Sequence, residues 1–164
     1  MRTATLFVLM LAGTASGAEQ GTAPAEIIQQ LRARWIASSE YTLAVAEKMP
    51  ADKYAFRPTA EQMTFGQQLV HIAEQNQLIF GEMLSVAAPE KRPVALSKAE
   101  ALAKLKETTT LGLEVLQERA SALPTDVAEV LNGMMLALDH TTHHRGQAIV
   151  YLRLNGITPP EYRR

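Results

Sequence analysis

Apolar residues recur at helical spacing in four stretches of the chain, and segments containing proline separate each stretch from the next. The first stretch runs from Pro24 to about Met49, and Pro50 ends it. The second begins at Thr64. Thr64 and Gln67 match a capping box, in which the side chain of each residue accepts a hydrogen bond from the backbone N–H of the other. The sequence therefore predicts two helices separated by a loop.

Two further helices follow the same pattern. Ser97 and Glu100 match a second capping box, which opens a helix with leucine and valine residues at helical spacing. Thr125 or Asp126 then starts a long fourth helix that reaches Asn155, after which a glycine and a proline pair end it. We found no convincing alternation of apolar and polar residues that would indicate a strand.

Four amphipathic helices with short connections bury their apolar stripes most simply against one another. We therefore predict an all-α fold, an antiparallel four-helix bundle. The length of 164 residues suits one domain, which we assign to residues 19–164.

Residues 1–18 have the features of a secretory signal peptide. Arg2 supplies a positive charge, Leu6 to Leu11 form a short apolar run, and Ser16-Gly17-Ala18 fits a cleavage site. The run is too short to span a bilayer, since a spanning helix needs roughly 20 apolar residues. An uncleaved interfacial anchor and a buried N-terminal helix are the alternatives. On the signal-peptide interpretation the protein is exported, to a bacterial periplasm, and has no stable membrane anchor after cleavage.

The composition narrows the classes of function. The chain has 16 Lys and Arg residues against 17 Asp and Glu residues, a net charge of -1 with neutral histidines, so we expect no nucleic-acid partner. Apolar residues make up 47% of the chain, which is enough for a core of normal size. The sequence contains no cysteine, which excludes disulfides, cysteine zinc sites and a protein thiol nucleophile.

The four histidines fall in two places, one on the second predicted helix and three on the fourth. His140 and His144 project about 40° apart on one helix face, a spacing at which two imidazoles can reach one metal ion. His143 lies about 100° around the helix from His144, although His140 and His143 form an alternative pair. His71 lies about 120° from the centre of its own apolar stripe, so it fits an exposed residue as well as a ligand in an open cleft.

Other residues near the histidines have candidate roles. Ligand rings need hydrogen-bond partners for their second nitrogens, and Glu74 and Gln147 are the nearest candidates by spacing. Arg145 lies on the line of the core stripe, which indicates a packing or salt-bridge role. Gly146 costs about 1 kcal/mol relative to alanine in mid-helix, so we expect a close neighbour or ligand there.

Three motifs resemble those of the DinB/YfiT-like family of four-helix-bundle proteins. The segment from His140 to Gln147, HTTHHRGQ, resembles the family's HxxxHRGQ signature, and TFGQQLVH, ending at His71, resembles its second-helix motif. The closing NGITP, which begins at Asn155, is similar to the family's last motif. The likeness covers nearly all of residues 19–164.

The resemblance implies a metal site and an assembly. In that family three histidines bind a divalent ion, commonly zinc or nickel, and the motifs place them at His71, His140 and His144. It also implies homodimers and gives His143 a supporting or surface role.

Two classes of function follow from such a site. Three imidazoles leave an open position on the ion, as in catalytic zinc sites, where a small-molecule substrate can bind. The resemblance implies a thiol-dependent transferase or isomerase that uses a low-molecular-weight thiol. Export favours hydrolysis as a variant because such thiols are mainly cytoplasmic. Glu74 is the candidate catalytic base, with a solvated helix residue as the alternative. The other class is a non-catalytic metal-binding or stress-response protein.

Overall fold

The computed structural model describes residues 23–85, 97–121 and 127–162. Within these ranges the chain forms one short 3₁₀ helix, Ala51–Lys53, and four α-helices, and it contains no strand. The α-helices are α1 (Pro24–Lys48), α2 (Phe65–Leu84), α3 (Lys98–Ser121) and α4 (Val127–Leu154). The predicted all-α fold is confirmed, whereas the signal peptide predicted for residues 1–18 lies outside the described residues. No described helix combines the length and apolar content needed to cross a membrane.

Both predicted capping boxes are present at the starts of α2 and α3. The backbone N–H of Thr64 donates to Oε1 of Gln67 at 2.8 Å, and that of Gln67 donates to Oγ1 of Thr64 at 3.2 Å. The backbone N–H of Ser97 donates to Oε2 of Glu100 at 2.8 Å, and that of Glu100 donates to Oγ of Ser97 at 3.3 Å. These bonds satisfy N–H groups that a helix start otherwise leaves unpaired.

The end of α4 also lies where the sequence predicts it. The helix ends at Leu154, one residue before the predicted Asn155, and Gly156 adopts a positive φ of 71°. Glycine tolerates this left-handed conformation at little cost and commonly ends helices. The predicted start at 125 or 126 lies outside the described residues.

The order of the helices around the bundle differs from their order in the chain. α4 packs between α1 and α2, and α3 packs against the same two helices on the opposite side. Neighbouring residues show the directions: Trp35 contacts Thr109 and Lys98 contacts Glu47, so α1 and α3 are antiparallel. The pair α2 and α4 is also antiparallel, whereas α1 and α4 run parallel.

The core has two apolar clusters with a polar layer between them. One cluster includes Phe65 and Leu152, and the other is built around Trp35 and Phe80, whose rings meet edge to face at 5.0 Å. Buried polar side chains occupy the intervening positions on all four helices: Ser39, Thr42, Asn76, Thr108, Thr141 and Arg145. Buried polar groups need hydrogen-bond partners, so this layer specifies which residues of neighbouring helices face each other.

Candidate metal centre

Three histidine rings meet where α2 packs against α4. The ring centroids of His71, His140 and His144 lie 4.5–4.9 Å apart, and one nitrogen from each ring lies within 4.8 Å of the others. The Nε2 atoms of His71 and His140 are 3.2 Å apart. All three side chains are half-buried. The structure therefore brings together the three residues that the sequence motifs single out.

Hydrogen bonds on either side of the histidines fix the register of α2 and α4. Towards one end, Nδ2 of Asn76 donates to Oγ1 of Thr141 at 3.2 Å, and both side chains are buried. Towards the other end, Nε2 of Gln68 donates to Oε1 of Gln147 at 2.8 Å. A shift by one helical turn would break both contacts, so the two antiparallel helices hold His71 opposite the histidines of α4.

Gln68 is the hydrogen-bond partner of a histidine ring, a role that the sequence analysis assigned to Glu74 or Gln147. Nδ1 of His144 lies 2.6 Å from Oε1 of Gln68, which is 2% exposed. An amide oxygen can only accept, so Nδ1 carries the proton and Nε2 keeps the lone pair that a metal ligand needs. Gln147 contacts Gln68 rather than a ring of the triad. The expected role of Gln147 is therefore wrong in detail.

The hydrogen-bond chain continues away from the histidines. Nε2 of Gln68 also lies 3.4 Å from the hydroxyl of Tyr151, which donates to Oε1 of Gln62 at 3.2 Å. Each amide is thereby oriented by the next group in the chain. A network of this kind holds the Gln68 carbonyl towards His144 more firmly than a single contact would.

The surroundings keep His140 and His144 neutral. Burial, together with the nearby His140 and His71, lowers the pKa of His144 to about 4. Burial and the neighbouring His71 also lower the pKa of His140 from its ordinary value. Both rings are therefore neutral near pH 7, and the neutral imidazole is the form that binds a metal ion.

The donor set fits a divalent ion. Two nitrogens that each lie about 2.0–2.1 Å from one ion at a tetrahedral angle are roughly 3.3 Å apart. The 3.2 Å between the Nε2 atoms of His71 and His140 is close to that value. Three imidazoles suit zinc, nickel, copper or iron better than magnesium or calcium, which prefer oxygen ligands. The residues thus fit a metal ion of the predicted class.

Glu74, the predicted catalytic base, is half-buried on α2 one turn after His71. Its Oε1 atom is buried and has no hydrogen-bond partner among the described residues, and the same holds for Nδ1 of His140. Buried polar atoms without a partner are uncommon in folded proteins and often mark functional positions. The catalytic role of Glu74 remains a prediction.

The other predicted positions lie outside the triad. His143 is exposed, and its Nε2 atom lies 2.9 Å from Nε2 of Gln147. Arg145 is buried and bonds neutral oxygens of α1, so its predicted packing role is confirmed without a salt bridge among the described residues. A Cβ added to Gly146 would meet nothing within 4 Å, so the close neighbour expected there is absent from the described chain.

Comparisons with known proteins agree with this architecture. A DinB-like protein of Bacillus subtilis, YjoA, has a similar fold, with a TM-score of 0.65 and 20% sequence identity. The likeness covers 82% of this chain and 99% of the YjoA chain, and at this identity it supports the fold alone. No curated protein matches the sequence. The sequence profile of the DinB family matches residues 20–163, so this chain belongs to the DinB family.

Proposed function

We propose that this protein binds one divalent metal ion through His71, His140 and His144 and uses it to catalyse thiol transfer or hydrolysis. The observation that carries the proposal is the convergence of three imidazoles, with ligand atoms within 4.8 Å of one another. Zinc and nickel are the metals that the resemblance and the donor set favour. When bound, an ion with three protein ligands supplies an open position that lowers the pKa of a coordinated water or thiol.

The residues around the ion would bind and orient it. Gln68 accepts the Nδ1 proton of His144 and so directs the lone pair of Nε2 to the ion. The ligands carry no negative charge, so the site keeps the full charge of the ion and favours an anionic or thiolate substrate. Glu74, with its unpartnered carboxylate oxygen, is the candidate to accept a proton from the substrate or from water.

The metal site is tested by elemental analysis of protein purified without a histidine tag. We expect about one zinc or nickel ion per chain, and a large loss in the His71→Ala and His140→Ala variants, because each removes one of three ligands. The matched control is His143→Ala, which changes an exposed histidine of the same helix and should retain the metal. Stoichiometric metal in both ligand variants would overturn the assignment.

Catalysis is tested on the metal-loaded protein. Its activity is measured on a glutathione-type thiol with electrophiles and on generic ester and amide substrates. In Glu74→Gln we expect turnover to fall by roughly 10²–10⁴-fold, as when a general base is lost, with metal content unchanged. Glu82→Gln, an exposed position on the same helix, is the control. No activity on any substrate, with a large fall in melting temperature on chelation, would favour the non-catalytic metal-binding role.

Assembly and export complete the proposal. The resemblance implies a homodimer, and α4 carries most of the large exposed apolar side chains of the described chain: Leu131, Met135, Leu136, Val150 and Leu154. Such a face is commonly covered by a partner. Sedimentation of the wild type and of a Met135→Glu, Leu136→Glu double variant tests whether the protein forms a homodimer through this face.

Export is tested separately. A reporter that works only after export, fused to residues 1–22, tests the signal peptide.

A further inference from the structure

A cleft of about 540 Å³ lies between α1 and α4, on a different side of α4 from the histidines. Its charged lining residues are Arg34 and Arg145, and its hydroxyl-bearing ones include Tyr41, Thr142 and Tyr162. No acidic residue lines the cleft within the described ranges. Two cations and several hydroxyl groups therefore face a space that the described chain leaves without an anion.

Arg145 is the unusual member of this group because its charge is buried without a carboxylate. Its side chain is 6% exposed. Nη1 donates to the carbonyl oxygen of Ser38 at 3.0 Å, to its Oγ at 2.8 Å and to Oγ1 of Thr42 at 3.1 Å. Nη2 donates to Oγ1 of Thr142 at 3.2 Å. Buried charges usually have an ionic partner, and here every observed partner is a neutral oxygen.

Counting donors shows which edge of the guanidinium remains available. The group has five N–H donors. Three acceptors surround Nη1, and one acceptor takes a proton of Nη2. One N–H of Nη2 and the N–H of Nε have no acceptor among the described residues. Nη2 and Nε lie on the same edge of the guanidinium, and an edge of this kind matches two oxygens of a carboxylate or phosphate group.

The rest of the cleft suits an apolar body attached to that anionic group. Ala33, Ala37 and Leu138 line it together with the tyrosine rings. The rings of Tyr41 and Tyr162 meet edge to face at 5.2 Å, and the Tyr41 ring lies 5.1 Å from the guanidinium carbon of Arg145. Ligand sites of this size usually combine apolar walls with a few polar groups that fix orientation.

We propose that the cleft between α1 and α4 binds a small organic oxyanion, a carboxylate or phosphate with an aromatic or apolar body. Arg145 binds the two oxygens through its free edge. Arg34, at the exposed rim, attracts the anion and raises its association rate. The site is separate from the histidines and does not depend on the metal function.

The proposal is tested by titrating the metal-loaded full protein with benzoate, phenyl phosphate, inorganic phosphate and neutral benzamide. Binding is followed by calorimetry and by amide NMR shifts. We expect benzoate and phenyl phosphate to bind, with shifts at Ser38 and Tyr41 rather than at Gln68, and benzamide to bind at least tenfold more weakly. Equal binding of benzoate and benzamide, or shifts confined to the residues around the histidines, would overturn the proposal.

Two arginine variants separate the cleft from the general charge of the protein. Arg34→Ala should weaken benzoate binding roughly two- to fivefold, the effect of losing an exposed charge. Arg32→Ala removes an exposed arginine of the same helix that does not line the cleft, and should leave binding unchanged. Equal effects of the two variants would contradict the proposal. Arg145→Lys keeps the charge and loses the two-pronged edge, so it should weaken binding roughly tenfold or more.

Discussion

The two sides of α4 handle buried ionisable groups in opposite ways. On the side facing α2, burial removes the charge: His140 and His144 are neutral because their pKa values are lowered. On the side facing α1, Arg145 keeps its charge, and neutral oxygens of Ser38 and Thr42 surround part of it. His144 and Arg145 are consecutive in the chain, yet His144 is neutral and Arg145 is charged.

The difference shows which kind of ion each type of buried side chain can bind. An imidazole gives up its proton at moderate cost and then presents a lone pair, so a buried histidine cluster is ready for a cation. A guanidinium cannot lose its proton in a protein, so its burial demands acceptors and leaves any free edge ready for an anion. The side of α4 that faces α2 is therefore suited to a cation, and the side that faces α1 is suited to an anion.

The largest expected effect is on stability, and it lies on the α1 side. Arg145→Met removes the hydrogen bonds to Ser38, Thr42 and Thr142, among them the bond to the buried hydroxyl of Thr42. We expect the free energy of unfolding to fall by about 2–4 kcal/mol, while the metal stoichiometry is retained. Chemical denaturation and elemental analysis measure the two quantities.

The matched control for that variant is Arg153→Met, which changes an exposed arginine of the same helix. It should alter the free energy of unfolding by less than about 0.5 kcal/mol. If Arg145→Met cost no more than Arg153→Met, the hydrogen bonds to α1 would contribute nothing, and the contrast between the two sides would fail.

The next effect is on metal affinity and lies on the α2 side. Gln68→Met keeps much of the side-chain volume and removes the acceptor of the Nδ1 proton of His144. We expect metal affinity to fall roughly 10–100-fold, as for other losses of a ligand's hydrogen-bond partner. Competition with a chromogenic chelator measures it. Gln75→Met, a half-buried glutamine of the same helix, is the control, and an equal loss there would contradict the role of Gln68.

In metal-free protein, the free energy of unfolding should depend on pH through the histidines on the α2 side of α4 and not through Arg145 on the α1 side. An unfolded histidine binds a proton below about pH 6.5, whereas His144 in the folded chain stays neutral down to about pH 4. Between these values the unfolded state binds more protons, so the free energy of unfolding falls as pH falls. Arg145 stays charged throughout and adds no such slope. Denaturation at several pH values should show a shallower slope in His144→Asn than in the wild type, and identical slopes would contradict the argument.

The smallest effect concerns Gly146, which faces open space in the described chain. Gly146→Ala should raise the free energy of unfolding by about 0.5–1 kcal/mol, because alanine loses less backbone entropy in a helix. Thermal or chemical denaturation of the protein measures it. Gly112→Ala is the opposite case, because its Cβ would lie 2.6 Å from Nε1 of Trp35, and it should destabilise. A destabilising Gly146→Ala would indicate a neighbour at this face.

The helix boundaries could be predicted from the sequence because their causes are local. The capping boxes at Thr64 and Ser97 depend on residues three positions apart, and the end of α4 depends on the φ of Gly156. The pairing of His140 with His144 likewise follows from helical geometry. The placement of His71 beside them required the family resemblance, since its angle on α2 fitted an exposed residue equally well.

The partners of the histidines could not be predicted because they depend on how two helices face each other. Spacing from the ligands favoured Glu74 and Gln147, yet Gln68, one turn before His71, accepts from His144. The register that selects Gln68 is fixed by Asn76 and Thr141, which are 65 residues apart in the chain. The only hint in the sequence that Gln68 is the hydrogen-bond partner of a histidine was its position on α2, three residues before His71.

The long stretch of chain between α2 and α4 affects when the metal site can form. His71 and His140 are 69 residues apart, and the bonds of Gln68 to α4 span up to 83 residues. Such long-range contacts form late in folding because closing long loops costs entropy. The three-histidine site is therefore absent until α4 docks between α1 and α2. A metal ion that binds only the docked state then favours that last step by mass action.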